Sequence, residues 1–381
     1  MRLLKFDTAH PQDWVPLAQR REPPRFEEMS RRQYLDWLMA QRINYSDFYT
    51  FHLRNCGWEA EEFVTNSDVL LAKTEREVFG GSAPLLHLMN RATNRAVCSL
   101  GYRAVSWKER VISAYVRRFK PNVILVREDS QLPSRFWARF RQECLVVCRL
   151  ACGMPWEWSP RDFDLVLTSA PAFRDFFEAN GVPSLVTPNG FDERVAAEVA
   201  GERKEHDVVF IGGLGPHQMK ERTERMERIA EKTPFKWWGY WEGKSKPAGA
   251  LARTWQGPVA GLDMYRVIRQ SRVVLNDYID LAKGHASNQR LYETMGTGSL
   301  LLTRFAPNLK DDFPPDVFAT FDSVEDACAK IDQLLKNERE REAIAARGQR
   351  FVLEKFNYKD LMRDLSGILQ ERWDARFGGK K

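Results

Sequence analysis

Glu293 follows Ser287 and Asn288 within the stretch GHASNQRLYETMGTGSLLLT, residues 284–303. Ser287 is a suitable N-cap, which would leave the amides of Asn288, Gln289 and Arg290 as helix-start donors at the positive end of the dipole. Such an end attracts phosphate. Leu291 and Met295 share one helix face, and at about 100° per residue Glu293 points away from both. Its carboxylate therefore need not enter the core and could hold hydroxyls, for example those of a ribose. Gly296 and Gly298 stop the helix, and Ser299 to Thr303 suits an interior parallel strand. The same order also describes an ordinary loop, helix and strand with a surface glutamate.

A second loop, FIGGLG, sets Gly212, Gly213 and Gly215 between a strand and a helix, where an open α/β sheet lets its backbone approach a phosphate. It is not a GxGxxG fingerprint, because Gln218 occupies the place of the third glycine, and GxxxxGK[ST] is absent. His217, Lys220 and Arg222 lie just beyond it and could contact a pyrophosphate, or could be a solvated first helical turn. Glu128 and Asp129 close another strand at the end where α/β domains keep their chemistry, though they also fit helix caps. Neither G-x-S-x-G nor HExxH occurs, which removes hydrolase elbows and zinc proteases.

The elements that must carry these residues alternate. In the first half, Leu3–Phe6, Glu61–Thr65, Asn122–Val126, Cys144–Leu150, Asp164–Thr168 and Ser184–Thr187 read as strands. Helical patterns fall between them at Met29–Cys56 (with a break near Asn44–Ser46), Asp68–Phe79, Val105–Phe119, Pro133–Glu143 and Ala172–Asn180. The charged run from Pro188 to Asp207 reads as a linker. The alternation then restarts with Val208–Ile211, helix Met219–Lys232, Phe235–Trp241, helix Asp263–Ser271 and Arg272–Asn276. The opening segment follows, then Asp316–Phe321, helix Val324–Asn337 and two charged helices, Glu338–Glu354 and Tyr358–Phe377. Strands alternating with helices imply parallel sheets with right-handed crossovers.

Length agrees with this division: 381 residues suit two cores rather than one. The 43% hydrophobic and 29% charged composition is that of a soluble globular protein, and a cytoplasmic location is expected. The formal charge of +6 is spread among acids, without the dense basic face of a nucleic-acid binder. Basic patches at 18–32 and 103–119 leave room for weak contact with a membrane surface. The six cysteines contain no CxxC pair, and buried reduced thiols fit better than a metal site or disulfides.

With both glycine loops, the junction TPNGFDE and the Glu293 helix assembled, the chain resembles the GT-B glycosyltransferases, and within them the CgeB-like branch of the retaining group-1 enzymes. DFDLVLTSAPAFRDFFEANGV, VVFIGGLG, GLDMYRVIRQSRVVLN and HASNQRLYETMGTGSLLLT carry the likeness. It implies an α/β chain of two Rossmann-like domains with parallel sheets facing a cleft: an acceptor-side domain at 1–195, a donor domain at 196–360, and a C-terminal helix at 361–381 packing back on the first. It implies a nucleoside-diphosphate sugar as donor substrate, no separate cofactor and no metal. Glu293 matches the second acid of the family's E-x7-E motif, which holds the donor ribose. The first acid falls on His285, which can still donate a hydrogen bond to a phosphate or a sugar hydroxyl but does not supply the usual acid contact with the donor sugar. The pattern expects an arginine at Gly213, so pyrophosphate binding falls to Arg222, Arg290 and the amides of Ser287 and Asn288. The likeness puts the nucleobase beside Trp238, Gly239 and Tyr240, where Tyr240 or Trp241 could stack on it or simply pack in the core. His285, Glu128 and Asp129 are the catalytic candidates. A nucleotide-sugar epimerase on this fold, or a sugar-nucleotide-binding protein without turnover, are the competing readings. Donor type, acceptor and oligomeric state are not encoded in these motifs.

Overall fold

A computed structural model describes residues 1–9, 25–44, 46–80, 106–127, 131–150, 158–278 and 284–378. Glu128 and Asp129 lie outside the described residues, as do Cys152, Trp14 and Trp156.

Two all-parallel sheets form, each from one half of the chain. The first comprises β1 (Arg2–Asp7), β2 (Glu59–Val64), β3 (Val123–Arg127), β4 (Leu145–Arg149), β5 (Leu165–Thr168) and β6 (Ser184–Val186), in the order β2-β1-β3-β4-β5-β6. The second comprises β7 (His206–Ile211), β8 (Phe235–Trp238), β9 (Ser271–Asn276), β10 (Leu300–Arg304) and β11 (Ala319–Phe321), in the order β11-β10-β9-β7-β8. The central strands are buried along their length, as the continuous VILV, LVVC and LLLT runs require when helices cover both faces of a parallel sheet.

Three expectations need correction. The run from Pro188 to Asp207 is not a plain linker, since Glu193–Val199 forms a helix with Asp192 as N-cap, its side chain accepting from the Arg194 amide at 3.0 Å. Val195 and Val199, four apart, are buried, and the charges around them hid that stripe. The helix expected over Pro133–Glu143 is only Ser134–Ala138, because the amides of Glu143 and Cys144 turn back onto the Phe140 carbonyl to enter β4. The strand expected to reach Trp241 stops at Trp238, where Gly239 takes φ +149° and donates its amide to the Gly257 carbonyl.

The halves are joined twice. Beside the first crossing, the Phe191 amide donates to the Phe356 carbonyl and the Tyr358 amide donates to the Phe191 carbonyl. The chain then enters the Tyr358–Phe377 helix, which packs on the Phe48–Asn55 helix of the first half. Tyr358 stacks on Phe48 with centroids 5.6 Å apart.

Ion pairs fix the first crossing. Buried His52 faces the buried Asp192 carboxylate at 3.2 Å, and Arg194 bridges Asp192 to Asp47 at 2.7 and 3.0 Å. Arg42 binds Asp47 and reaches Glu198 on the crossing helix. Burial alone would push the Asp192 carboxyl up, but the His52 and Arg194 hydrogen bonds hold it down at about 2.

Candidate functional site

A cavity of about 370 Å³ opens between the C-terminal ends of the two sheets. It is lined from the first half by Asn44 and Arg127 and from the second by residues of several separate segments between Phe210 and Glu293. Among the sequence candidates, Gly212, Arg222, Tyr240, Asn288, Arg290 and Glu293 line it.

The glycine loop and Tyr240 form one wall. A Cβ on Gly213 would sit 2.5 Å from the Tyr240 Cζ, so only glycine lets the ring approach this backbone so closely. Tyr240 keeps 37% of its surface exposed, as a stacking platform would. Buried Arg222, on the next helix, donates to the Gly213 carbonyl and, at 3.4 Å, to the Asp277 carbonyl. Gly215 packs against Glu242, whose carboxylate accepts from the Gln218 amide, and His217 is exposed outside the cavity lining.

The helix with Glu293 spans Gln289–Gly296, and its N-cap is Asn288 rather than Ser287. Asn288 makes no cap bond, because its amide is paired with that of Asn276 at the end of β9, at 2.6 and 3.3 Å. Ser287 instead gives its carbonyl to Asn189 of the first crossing. The helix is also enclosed more fully than its pattern suggested, with Leu291 through Gly296 all buried. Glu293 is 6% exposed and still reaches the cavity edge. One of its oxygens pairs with Arg290 at 2.7 Å and the other accepts from the Tyr265 hydroxyl at 3.2 Å. Burial, and then the Glu293 charge, push the Tyr265 phenol well above its ordinary range, so it remains a donor. His285 is half-buried, its Nδ1 has no hydrogen-bond partner among the described residues, and it lies outside the cavity lining.

Several lining residues carried no sequence signal. Asp277, immediately after β9, is held by Arg225 at 2.9 Å and Arg304 at 2.8 Å, so three arginines including Arg222 converge there. Opposite, Arg127 ends β3 and donates to Asn44 at 2.8 Å and Asp7 at 3.3 Å. Burial would raise the Asp7 carboxyl, but Arg127 and Lys5 hold it below its ordinary range. Asn44 takes φ +55° in a loop where Arg42 and Ser46 are also left-handed, a costly backbone for non-glycine residues. That loop touches the second half, where the Leu262 amide donates to the Gln41 carbonyl at 2.8 Å. Gly261, at φ +58°, is required there because a Cβ would lie 2.1 Å from the same oxygen. Asn44 and Arg127 were invisible in sequence because their meaning comes from the facing half.

Among the described residues no cluster of His, Cys, Asp and Glu could hold a metal ion, and no helix is long and apolar enough to cross a membrane.

Residues 218–367 match the profile of a family described as glycosyl transferase-like. No curated protein matches the chain. Among solved structures, HepE from Anabaena in complex with UDP-glucose is similar at 13% identity, with 97% of this chain and 100% of that one covered and a TM-score of 0.56. Sucrose-phosphate synthase from Thermosynechococcus elongatus is similar at 10% identity, over 98% and 100%, with a TM-score of 0.54. AviGT4, a glycosyltransferase involved in avilamycin A biosynthesis, is similar at 11% identity, over 98% of both chains, with a TM-score of 0.52. The fold is GT-B: two Rossmann-like domains whose parallel sheets face a cleft.

Proposed function

We propose that this chain is a glycosyltransferase of the retaining group-1 type, near the CgeB-like branch, that binds a nucleoside-diphosphate sugar in the cleft and transfers the sugar to an acceptor. The observation that carries this reading is the convergence of Arg222, the Gln289–Gly296 helix start and Glu293 on one cavity beside Tyr240. The glycosyl transferase-like profile over 218–367 and the UDP-glucose held by the similar HepE support it.

The second half holds the donor. Tyr240 stacks on the base, Glu293 holds the ribose, and Arg222, Arg290 and the first-turn amides neutralise the diphosphate. With that charge supplied by the protein, the leaving group needs no metal. The acceptor enters from the wall of Arg127 and Asn44. Glu128 and Asp129, next in the chain after Arg127, and His285, ahead of the donor helix, are the further candidates for contact with the reacting sugars.

In the reaction the bond from the anomeric carbon to the leaving phosphate oxygen breaks, and a bond to the acceptor oxygen forms on the same face. The acceptor proton passes to the departing phosphate oxygen, so no enzymic nucleophile is required. The test is incubation of the full chain with UDP- and GDP-sugars and a panel of glycan and small-molecule acceptors. Acceptor-dependent release of nucleoside diphosphate and a retained anomeric configuration by NMR are expected. An inverted product would overturn the stereochemical part. A sugar altered in the donor without any acceptor would replace transfer by epimerisation.

A further inference from the structure

A second cavity, of about 540 Å³, lies away from the cleft in a hollow at the opposite end of the first sheet. It lies at the N-terminal ends of β4 and β5, closed by the last turns of the Tyr358–Phe377 helix. Its floor is apolar, formed by Val147, Phe163, Leu165 and Val182, all buried residues. Its rim carries Arg141, Arg161, Arg372 and Arg376 with one carboxylate, Asp164.

Asp164, with a single negative charge, does not balance the four arginines of the rim. One of its oxygens accepts from both Arg141, at 2.7 Å, and Arg376, and the other accepts from the Val146 amide at 2.9 Å. Arg376 also donates to the Arg141 carbonyl at 2.7 Å, which ties the C-terminal helix to the turn before β4. Of the neighbouring acids, Asp162 is engaged by the Ser134 hydroxyl and Asp374 by the Gln370 amide. Among the described residues the side chains of Arg161 and Arg372 have no hydrogen-bonding or ion-pair partner. Two uncommitted guanidiniums therefore stand over an apolar floor, an arrangement that matches an anion bearing a hydrocarbon body.

We infer that this hollow is a second ligand site, separate from the cleft, and that it takes an organic phosphate with its phosphate between Arg161 and Arg372 and its apolar body on the Val147–Phe163–Leu165 floor. A phosphomonoester carries close to two negative charges near neutral pH, which matches the two unpaired cations. Bound there, it links the end of the C-terminal helix to the first half. The same chemistry is offered by a soluble organic phosphate and by the headgroup and upper chain of phosphatidic acid.

The experiment uses the full chain and n-hexyl phosphate as probe, titrated by calorimetry with and without saturating UDP, with n-hexanol and inorganic phosphate as controls. Hexyl phosphate is expected to bind once per chain, more tightly than either control and unaffected by UDP. The R161A/R372A double variant, whose substitutions touch neither core nor ion pairs, is expected to melt like the wild type and to bind on the order of tenfold more weakly or worse. In a parallel arm, both proteins are sedimented with phosphatidylcholine vesicles containing phosphatidic acid. Sedimentation of the wild type but not the double variant supports the site with a lipid headgroup as its source. Hexyl phosphate binding without sedimentation supports it with a soluble ligand. Equal affinity in the double variant, displacement by UDP, or no binding in either arm would overturn the inference.

Discussion

The Tyr240 ring occupies the space above Gly213 that any side chain at that position would need, with its Cζ 2.5 Å and its hydroxyl 2.7 Å from where a Cβ would be. The two residues are therefore one device: the glycine makes a flat bed and the tyrosine covers it at the mouth of the cavity. Gly213→Ala is expected to push the ring aside and weaken UDP or GDP binding. Removing the ring in Tyr240→Ala should weaken it too, and the double variant should be no worse than the worse single. Calorimetric titration of all four proteins checks this, with a coupling energy of about 1 kcal/mol expected for residues in contact. Additive losses would mean that the ring and the loop act separately.

If Arg222 binds the diphosphate as proposed, its loss should be felt by the diphosphate and not by the nucleoside. Arg222→Ala is expected to weaken nucleoside diphosphate binding by about 1.5–3 kcal/mol, the range for hydrogen bonds to charged groups. Uridine or guanosine, which lack phosphates, should bind the variant and the wild type alike. An equal loss for both ligands would give Arg222 a merely structural role through Gly213 and Asp277.

Glu293 is shared between Arg290 and Tyr265, and a ribose would join that network at the cavity edge. Glu293→Gln keeps the shape and is expected to lose the preference for a nucleoside diphosphate over its 2′-deoxy counterpart. Tyr265→Phe should preserve that preference and lower stability modestly. If the glutamine variant still prefers the ribonucleotide, Glu293 does not hold the sugar.

The first crossing between the halves should show in acid stability. Asp192 is held at about 2 in the folded chain, below its unfolded value of roughly 3.9. A depressed carboxyl contributes stability fully above the unfolded value and loses it as pH falls through the folded one. The contribution, about 2–3 kcal/mol at neutral pH, should therefore fade between about pH 4 and pH 2. Asp192→Asn is expected to unfold more easily at pH 7 and to lose this part of the acid sensitivity, as denaturant titrations across pH would record. An unchanged acid limb would show that the His52 and Arg194 contacts are not felt in the folding equilibrium.

Much of this architecture was legible because its signals are local. Short β-branched apolar runs such as VILV and LVVC, bounded by turns and helical patterns, suit interior strands of a sheet covered on both faces, and the glycine loop after β7 sits between a strand and a helix whatever surrounds it. The helix of Glu293 was readable for the same reason, with left-handed Gly298 just past its end, although Gly296 is its last helical residue rather than a stop. Its first residue was not, since Asn288 is the N-cap and its side chain is taken up by Asn276 on a neighbouring strand. The helix after Asp192 was hidden for a related reason: two valines four apart look incidental among charges until a neighbouring helix buries them.

The sequence by itself determined two α/β halves, their order, and the residue types suited to a diphosphate and a ribose. Tertiary structure alone decided which of those residues share a cavity. It brought in Arg222 and Glu293 and left His217 and His285 outside the lining. It set Arg127 and Asn44 on the opposite wall through contacts to Asp7 at the end of β1, and it gathered Arg141, Arg161, Arg372 and Arg376 around a hollow that no linear pattern announced. Periodicity reports which face of one element is buried, but a site between elements depends on how two sheets and a returning helix pack, and that is fixed by contacts among residues far apart in the chain.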